Sequence, residues 1–478
     1  MRDLVIIMGV AGSGKSSIAE ALSKAEGWPF VEADVHHSAA NKEKMASGTP
    51  LTDADRADWV RSMGETMTAM PEDRVVLACS ALTPFVQRGL REQSGRTCLF
   101  VLLDVPKDEL ARRISSQEAA YPPDMDGTEI SKPKRPRLDY PHGQSAPAPG
   151  EIREIAPGLF WLAMPLHFSL KFINVWLIDD GDSWTIVDTG IPYDETRAVW
   201  RKLLADRISE KKPLKRVIVT HMHPDHIGTA GWLCHKWGAE LWMTRLEYTT
   251  CRMLVSDTGR SAPKAGLDFY LRAGWNKAQL DQYKEKFGGF GKAVMPLPDS
   301  FRRLVDGDTF EMGGQVWEVI TGSGHSPEHA CLFCPALNIL ISGDQLLPRI
   351  SSNVSVHPTE PAANPLLDWL ESCEKLKQRL PEDVLVLPAH NEPFTGAHKR
   401  LQHLIDGHHV ALARLLQRLG RCPMKAVDSF TTLFGRAIAD DEVGMATGEA
   451  LAHLNYLIYR GDVSVTRNET GIDLYSLN

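Results

Sequence analysis

Apolar positions in the first 118 residues fall into continuous runs, LVIIMGV, VVLACSAL and CLFVLLDV. Stretches with helical spacing begin at Ser16 and Lys107 and separate these runs. Runs that are apolar on both faces and alternate with helices predict a parallel sheet buried between helical layers. The pattern stops at Glu118: EAAYPPDMDGTEISKPKRPRLDYPHGQSAPAPG holds seven Pro and no hydrophobic period, which predicts an extended linker. Its KPKRPR run reads as solvated chain. Pattern resumes near residue 151, with strands expected at FINVWLID, WTIVDTG, RVIVTH, ELWMT, WEVITGSGH, ILISGDQ and VLVLPAH. Between Met243 and Pro298 lies a helical insertion with Tyr248, Phe269, Tyr270 and Trp275. Helical core packing is the expectation for these rings, and a lid is the alternative. From about Ala397 the chain is helical again, and it closes on EALAHLNYLIYRG and two short strands around an Asn-Glu-Thr-Gly turn. The fold class is α/β in four segments: 1–118, a linker 119–150, a domain 151–400 and a tail 401–478.

Composition narrows the function classes. With 43% hydrophobic and 24% charged residues the chain is ordinary globular protein. Its 53 Lys and Arg against 61 Asp and Glu leave a net charge of −8, a poor balance for nucleic acid. No apolar run approaches the roughly 18 residues of a membrane span. The N-terminal apolar run opens into glycines and a lysine rather than a small-residue cleavage site, so the expectation is a cytoplasmic protein. Eight scattered Cys argue against a disulfide framework. Cys331 and Cys334, in CLFC, lie in a strand-turn-strand pattern and are expected in the core.

Two constellations carry chemistry. Gly9 to Ser16 fits G-x-x-x-x-G-K-[ST] between a buried strand and a helix. Backbone N–H groups around Gly9, Gly12, Ser13 and Gly14 would curl about phosphate oxygens, Lys15 would reach the β/γ-phosphates, and Ser16 would hold Mg²⁺, so ATP with Mg is expected. The following VEADVHHSAANKEKMASGTPLTDADRADW, with Asp34, His37, Asn41, Lys44 and Met45, and later Cys79-Ser80-Ala81-Leu82, resembles gluconate kinases of the P-loop family. That resemblance implies that Asp34 positions or deprotonates a sugar-acid hydroxyl; a helix cap is its structural alternative. After ARRISSQEA the chain enters the proline-rich stretch, where the family has a lid and a last strand. An incomplete, nucleotide-binding module is therefore expected over an active kinase.

The second constellation is THMHPDHIG, with His221, His223, Asp225 and His226 on one loop after an apolar strand. His325, Asp344 and His390 each follow a later apolar strand, so all can converge on one sheet edge. With Asp188 in VDTG, this set resembles the metallo-β-lactamase superfamily over roughly residues 151 to 400. The resemblance implies an αββα sandwich. It implies that His221, His223 and His325 bind one metal, that Asp225, His226 and His390 bind a second, and that Asp344 bridges them. Asp188 would orient a ligand from behind, and His329 would help hold its loop. Imidazole and carboxylate suit two Zn²⁺, with Fe or Mn as alternatives. Two such ions share and acidify a water, and Asp225 would help move its proton.

The tail's helix and hairpin resemble the winged-helix end of lactamase-like hydrolases. It carries nine Lys and Arg against nine Asp and Glu from Thr395 onward, and none of the cations is on EALAHLNYLIY. It is read as a packing, substrate-pocket or homodimer element rather than a nucleic-acid reader. The leading reading is a binuclear hydrolase of a small carbonyl substrate: thioester, then lactone or β-lactam. The competitors are a phosphodiesterase or RNase with the same metals, a gluconate kinase, and a nucleotide module that regulates the hydrolase.

Overall fold

The three expected apolar runs of the first segment form β1 (Asp3–Met8), β3 (Arg74–Cys79) and β4 (Thr97–Leu102), and the sheet adds the short β2 (Phe30–Glu32), which the pattern does not mark. All pairs are parallel, in the order β2-β3-β1-β4. Alternate residues of β1 serve two cores. Leu4 and Ile6 pack with Trp59, Met63 and Leu90, from α2 (Asp53–Ala69) and α3 (Pro84–Gln93). Val5 and Ile7 pack with Ala19 of α1 (Lys15–Glu26). Arg96 donates to the carbonyls of Met67, Met70 and Glu72, where α2 ends, placing a cation at the negative end of the helix.

This is a computed structural model, and it describes residues 3–8, 15–38, 41, 44, 52–80, 83–103, 133–168, 170–205 and 207–478. It divides into two units, residues 1–129 with 435–437, and 130–434 with 438–478. The helix expected from Lys107 and the stretch in which a kinase lid would fall lie outside the described residues. So does the first half of the expected linker. Its second half, from residue 133, belongs to the second unit. There Asp139 pairs with Thr395, and Leu138 and Tyr140 pack on that unit's core.

The second unit is built on two sheets. Strands β5 (Arg153–Ala156), β6 (Leu159–Pro165), β7 (Phe172–Asp179), β8 (Trp184–Val187), β9 (Leu214–Ile218), β10 (Glu240–Thr244) and β11 (Arg302–Leu304) form the first. They run in sequence order, antiparallel up to β8 and parallel from β8 to β11. Strands β12 (Thr309–Met312), β13 (Gln315–Gly322), β14 (His329–Cys334), β15 (Ile339–Gly343) and β16 (Leu385–Pro388) form the second, antiparallel except for β15-β16.

Period-two side-chain alternation makes the layers. Trp161, Trp176, Ile218, Trp317, Leu332, Ile341 and Leu387 meet between the sheets. Outside the first sheet, Leu162, Val175 and Val217 pack with α4 (Asp194–Ala205) and α6 (Ala230–Trp237); between those helices runs the short α5 (Pro224–Ile227). The helical insertion begins with α7 (Arg245–Ser256) and continues as α8 (Lys264–Ala273) and α9 (Lys277–Lys286). Outside the second sheet, Ile320, Phe333 and Leu340 pack with α10 (Pro365–Arg379), α11 (Ala397–Leu419) and α13 (Val443–Tyr459), with α12 (Phe430–Phe434) between the last two. The unit is an αββα sandwich. Cys331 and Cys334 are buried and free, and they belong to different cores on opposite sides of β14.

The boundary at residue 400 falls inside α11, whose apolar face joins sandwich and tail in one core. The tail closes on the hairpin β17 (Val463–Arg467) and β18 (Asp473–Leu477). Phe269, Tyr270 and Trp275 pack into that same core, and Trp275 Nε1 donates to Thr447 Oγ1 at 2.8 Å. Among the described residues no helix is long and apolar enough to cross a membrane.

One buried amide ties the sheets together. Asn174, on β7, accepts from Trp161 Nε1 at 2.8 Å and donates to the carbonyls of Pro388 and Asn391 at 2.8 and 2.6 Å. Those two residues flank His390. Asn174→Leu strands all three partners, and at about 1–3 kcal/mol for a buried group left unpaired the unfolding free energy is expected to fall by roughly 3 kcal/mol or more. The urea midpoint followed by tryptophan fluorescence measures it.

Candidate metal centre

Strand direction gathers the chemistry on one edge. β8, β9 and β10 are parallel, so Asp188, His221 and Glu247 follow their C-terminal ends on one side. β13, β15 and β16 share a direction, so His325, Asp344 and His390 follow their ends, and His329 opens β14 at the same edge. A hydrogen bond from Ala330 N to Thr220 O, 2.9 Å, joins the two rims. The turn before His325 runs tight against α10: Gly324 has φ +104°, and a Cβ there would lie 2.6 Å from Pro365 O.

All seven expected ligand residues come together. Three groups have candidate ligand atoms within 4.8 Å of one another: His221, His223 and His325; His221, His226 and Asp344; and Asp225, His226 and His390. His221, His226, Asp344 and His390 are buried. Asp344 faces both sides, with Oδ2 3.4 Å from His325 Nε2, and Oδ1 3.6 Å from His226 Nε2 and 3.5 Å from His390 Nε2. Asp225 Oδ2 lies 3.2 Å from His390 Nε2.

The outer ring nitrogens are held. His325 Nδ1 bonds Asn353 O at 2.8 Å, His390 Nδ1 faces Phe172 O at 3.3 Å, and His221 Nδ1 meets Thr220 Oγ1 at 3.1 Å. His226 Nδ1 meets Asp188 Oδ2 at 2.8 Å. Each therefore turns Nε2 inward, the arrangement in which an outer partner fixes tautomer and ring orientation. Asp188 is buried with φ 60°, a strained conformation for a non-glycine residue, and it also accepts from Thr220 N and Oγ1 at 2.8 Å. His329 Nε2 accepts from Asp344 N at 3.1 Å, so the ring fixes the backbone of the central carboxylate.

The donor set fits divalent cations. His226 Nε2, His325 Nε2 and Asp344 Oδ1 are buried without a hydrogen-bond partner. Such orphaned atoms are costly unless something binds them. Nitrogen and oxygen donors without sulfur suit zinc, iron or manganese. Charge is sorted in the same sense. Burial, then neighbouring imidazoles, holds His221 and His329 well below the usual histidine range, and burial with His325 pulls His223 down to about 3. Against burial, Asp188, Asp225 and Asp344 raise His226, and His390 and His226 hold Asp344 well below the carboxylate range.

The pattern of the sequence did not mark Glu247. It is buried on α7 and accepts from Met222 N at 2.9 Å, Ser326 Oγ at 2.7 Å and Glu328 N at 2.7 Å. One carboxylate thus straps the His221 loop to the His325 loop. Burial pushes its carboxyl up against these three donors. A clue was available: it shares the helix's buried stripe with Tyr248 and Cys251, where a charge is out of place. Tyr248 itself is core, stacked on Phe301 with its hydroxyl on Pro298 O.

In the first unit, Lys15 and Ser16 open α1, while Gly9, Gly12, Ser13, Gly14 and Met45 lie outside the described residues. Asp34 is exposed in a single 3-10 turn, Ala33–His36, just past β2. The ring of His37 stacks on Trp59 at 4.3 Å, and Asn41 Nδ2 donates to Asp55 O at 2.6 Å. Asp55 also binds Lys44 and closes a capping box with Thr52, which explains the TDAD run as a helix start.

Removing either support of the ligand loops should be read in metal affinity. Asp188→Ala and Glu247→Ala are each expected to weaken binding about 10–100-fold, the effect seen when partners behind metal ligands are lost. Competition against a chromophoric chelator, with zinc as the probe, measures this.

Comparison with known proteins agrees with both halves. A model of the metallo-beta-lactamase superfamily matches residues 169–390, one of a metallo-beta-lactamase-like C-terminal domain matches 412–478, and one of shikimate kinase matches 11–137. The crystal structure of a beta-lactamase domain protein from Burkholderia ambifaria is 39% identical, covers 71% of this chain and 98% of its own, and superposes with TM-score 0.65. A probable metallo-hydrolase of Bacillus subtilis is 24% identical over 62% of this chain and 91% of its own length. A gluconokinase of Gluconobacter oxydans is 40% identical over 25% of this chain, which spans 67% of that kinase. The chain belongs to the metallo-beta-lactamase superfamily, with a gluconokinase-like domain fused on its N-terminal side.

Proposed function

We propose that this chain is a binuclear metal-dependent hydrolase of small carbonyl compounds, thioesters first, then lactones or β-lactams, with a nucleotide-binding N-terminal module. The observation that carries it is the two-sided Asp344 between His325 on one flank and His226 with His390 on the other. We assign His221, His223 and His325 to one ion, Asp225, His226 and His390 to the other, and Asp344 to both. Two zinc ions, or iron or manganese, would polarise a carbonyl oxygen and acidify water there. Asp225 keeps an edge toward solvent, its side chain 16% exposed. Its Oδ2 faces His226 and His390, which leaves Oδ1 to hold the proton of the attacking water and return it to the leaving group. Asp188 and Thr220 hold the His226 and His221 rings still while this happens.

In the N-terminal module, Lys15 and Ser16 would meet ATP and Mg, and Asp34 would face the sugar-acid hydroxyl in a gluconate kinase reading, which the relative from Gluconobacter favours. A phosphodiesterase or RNase reading would need a basic approach surface, and the tail is charge-neutral. We place the protein in the cytoplasm, in keeping with eight free cysteines. Its partners are a small-molecule substrate, a nucleotide and, through the tail, a second copy.

The zinc-loaded protein is expected to hydrolyse an acyl thioester, a lactone or a β-lactam while an activated phosphodiester and short RNA stay intact. His221→Ala should fall to the background rate, and Lys15→Ala should weaken ATP binding while leaving the hydrolytic rate in place. Cleavage of RNA or phosphodiester alone would overturn the proposal.

A further inference from the structure

Beside the strand-end edge, α11, α13 and the Arg349–Ser351 segment line an open cavity of about 250 Å³. Arg135, Arg349, Arg400 and His403 line it. Among the described residues, Arg349 alone of the three guanidinium groups has a carboxylate partner, Glu392 at 2.9 Å. Arg400 is buried, and its Nε and Nη2 donate to the carbonyls of Leu347 and Ile350, each at 2.7 Å. Its Nη1 has no acceptor among the described residues. Burial, then repulsion from Arg135, pulls this guanidinium down to about 10. The acid in the wall is Glu449, which burial pushes up to about 7, so near neutrality it is only partly ionised and does not offset the guanidinium groups in full. A buried cation without an anion is costly.

Two further observations give the cavity a use. Gly407 lies in the middle of α11, where glycine is a poor helix former, and a Cβ there would meet nothing within 4 Å. A larger side chain at this lining position would occupy that volume. Asn353 touches both the metal edge and the cavity wall: its carbonyl holds His325 Nδ1 at 2.8 Å and its Nδ2 donates to Glu449 Oε2 at 2.8 Å.

We propose that this cavity binds the anionic end, a carboxylate or phosphate, of the compound whose carbonyl group is hydrolysed at the metal edge. The assignment rests on the hydrolase reading. It makes the substrate a two-ended molecule, an oxyanion at one end and an acyl group at the other.

The test uses the full-length zinc-loaded chain and two thioesters with one leaving group, one acyl chain ending in a carboxylate and the other in a methyl group. KM is expected to be at least about tenfold lower for the carboxylate ester, the equivalent of one charge-assisted contact. The ratio should collapse toward one in Arg135→Ala, an exposed residue, and in Gly407→Leu, which fills the cavity while improving the helix. No preference in the wild type, or a preference that persists in Gly407→Leu, overturns the proposal. Inorganic phosphate should compete with the carboxylate ester; if it instead accelerates the methyl ester, the occupant is a free effector and the substrate assignment falls. If neither ester is hydrolysed, the hydrolase reading fails separately and the site is judged by binding. Succinate or phosphate should then raise the Tm of the wild type and not of Gly407→Leu. No rise, or an equal rise in both, overturns the site as well.

Discussion

Burial of charge is the constraint that organises the second unit. Asp188, Asp344, His221, His226, His390 and Glu247 sit at or near zero exposure on one sheet edge. Ionised groups in such a place need partners that are themselves held. Asp188 shows how: it accepts three hydrogen bonds, two from Thr220 and one from His226, at the cost of a positive φ. The protein satisfies every outer ring nitrogen of His221, His226, His325 and His390 and leaves His226 Nε2, His325 Nε2 and Asp344 Oδ1 bare on the inside. That asymmetry is the physical statement that cations belong inside.

The sandwich exists in a form that serves this edge. Six ligand-bearing or supporting segments follow strand ends, so the position of each is set by a sheet rather than by a loop. The two sheets are then locked where chemistry is densest. Asn174 fastens the first sheet to the backbone around His390. Glu247 fastens the His221 loop to the His325 loop. Both are single polar side chains inside apolar surroundings, and each replaces several backbone hydrogen bonds that the strand ends cannot make with one another.

The candidate ligands were legible because each follows an apolar run that could only be a strand, and strand ends converge. The supports were not. Asn174 bonds carbonyls 214 and 217 residues away, and Glu247 bonds groups 25 to 81 residues away, so no local spacing betrays them. Five strands went beyond expectation: β2, with three residues, and β5, β6, β11 and β12. β6, LFWLAMP, is buried on both faces and shows no alternation, while β11 has three residues and β12 four. The aromatic insertion was legible as helix and core, but its partner was not. Trp275 reaches Thr447, 172 residues on, in a tail that sequence alone sets apart.

The electrostatics of the second unit are divided by one loop. On the metal side, Asp188, Asp225 and Asp344 crowd one edge, and incoming positive charge is favoured. Arginines crowd the cavity, so incoming negative charge is favoured there. Asn353 stands between, its backbone carbonyl on the His325 ring and its side-chain amide on Glu449, an acid that burial pushes up to about 7. An uncharged amide at that boundary keeps the two fields from cancelling through a direct ion pair. An aspartate at 353 would set a carboxylate against Glu449 in the cavity wall and add negative charge where an anion is to bind. The uncharged boundary therefore preserves both binding potentials within a single wall, and a molecule with an oxyanion and an electrophilic carbonyl is the simplest object that satisfies both.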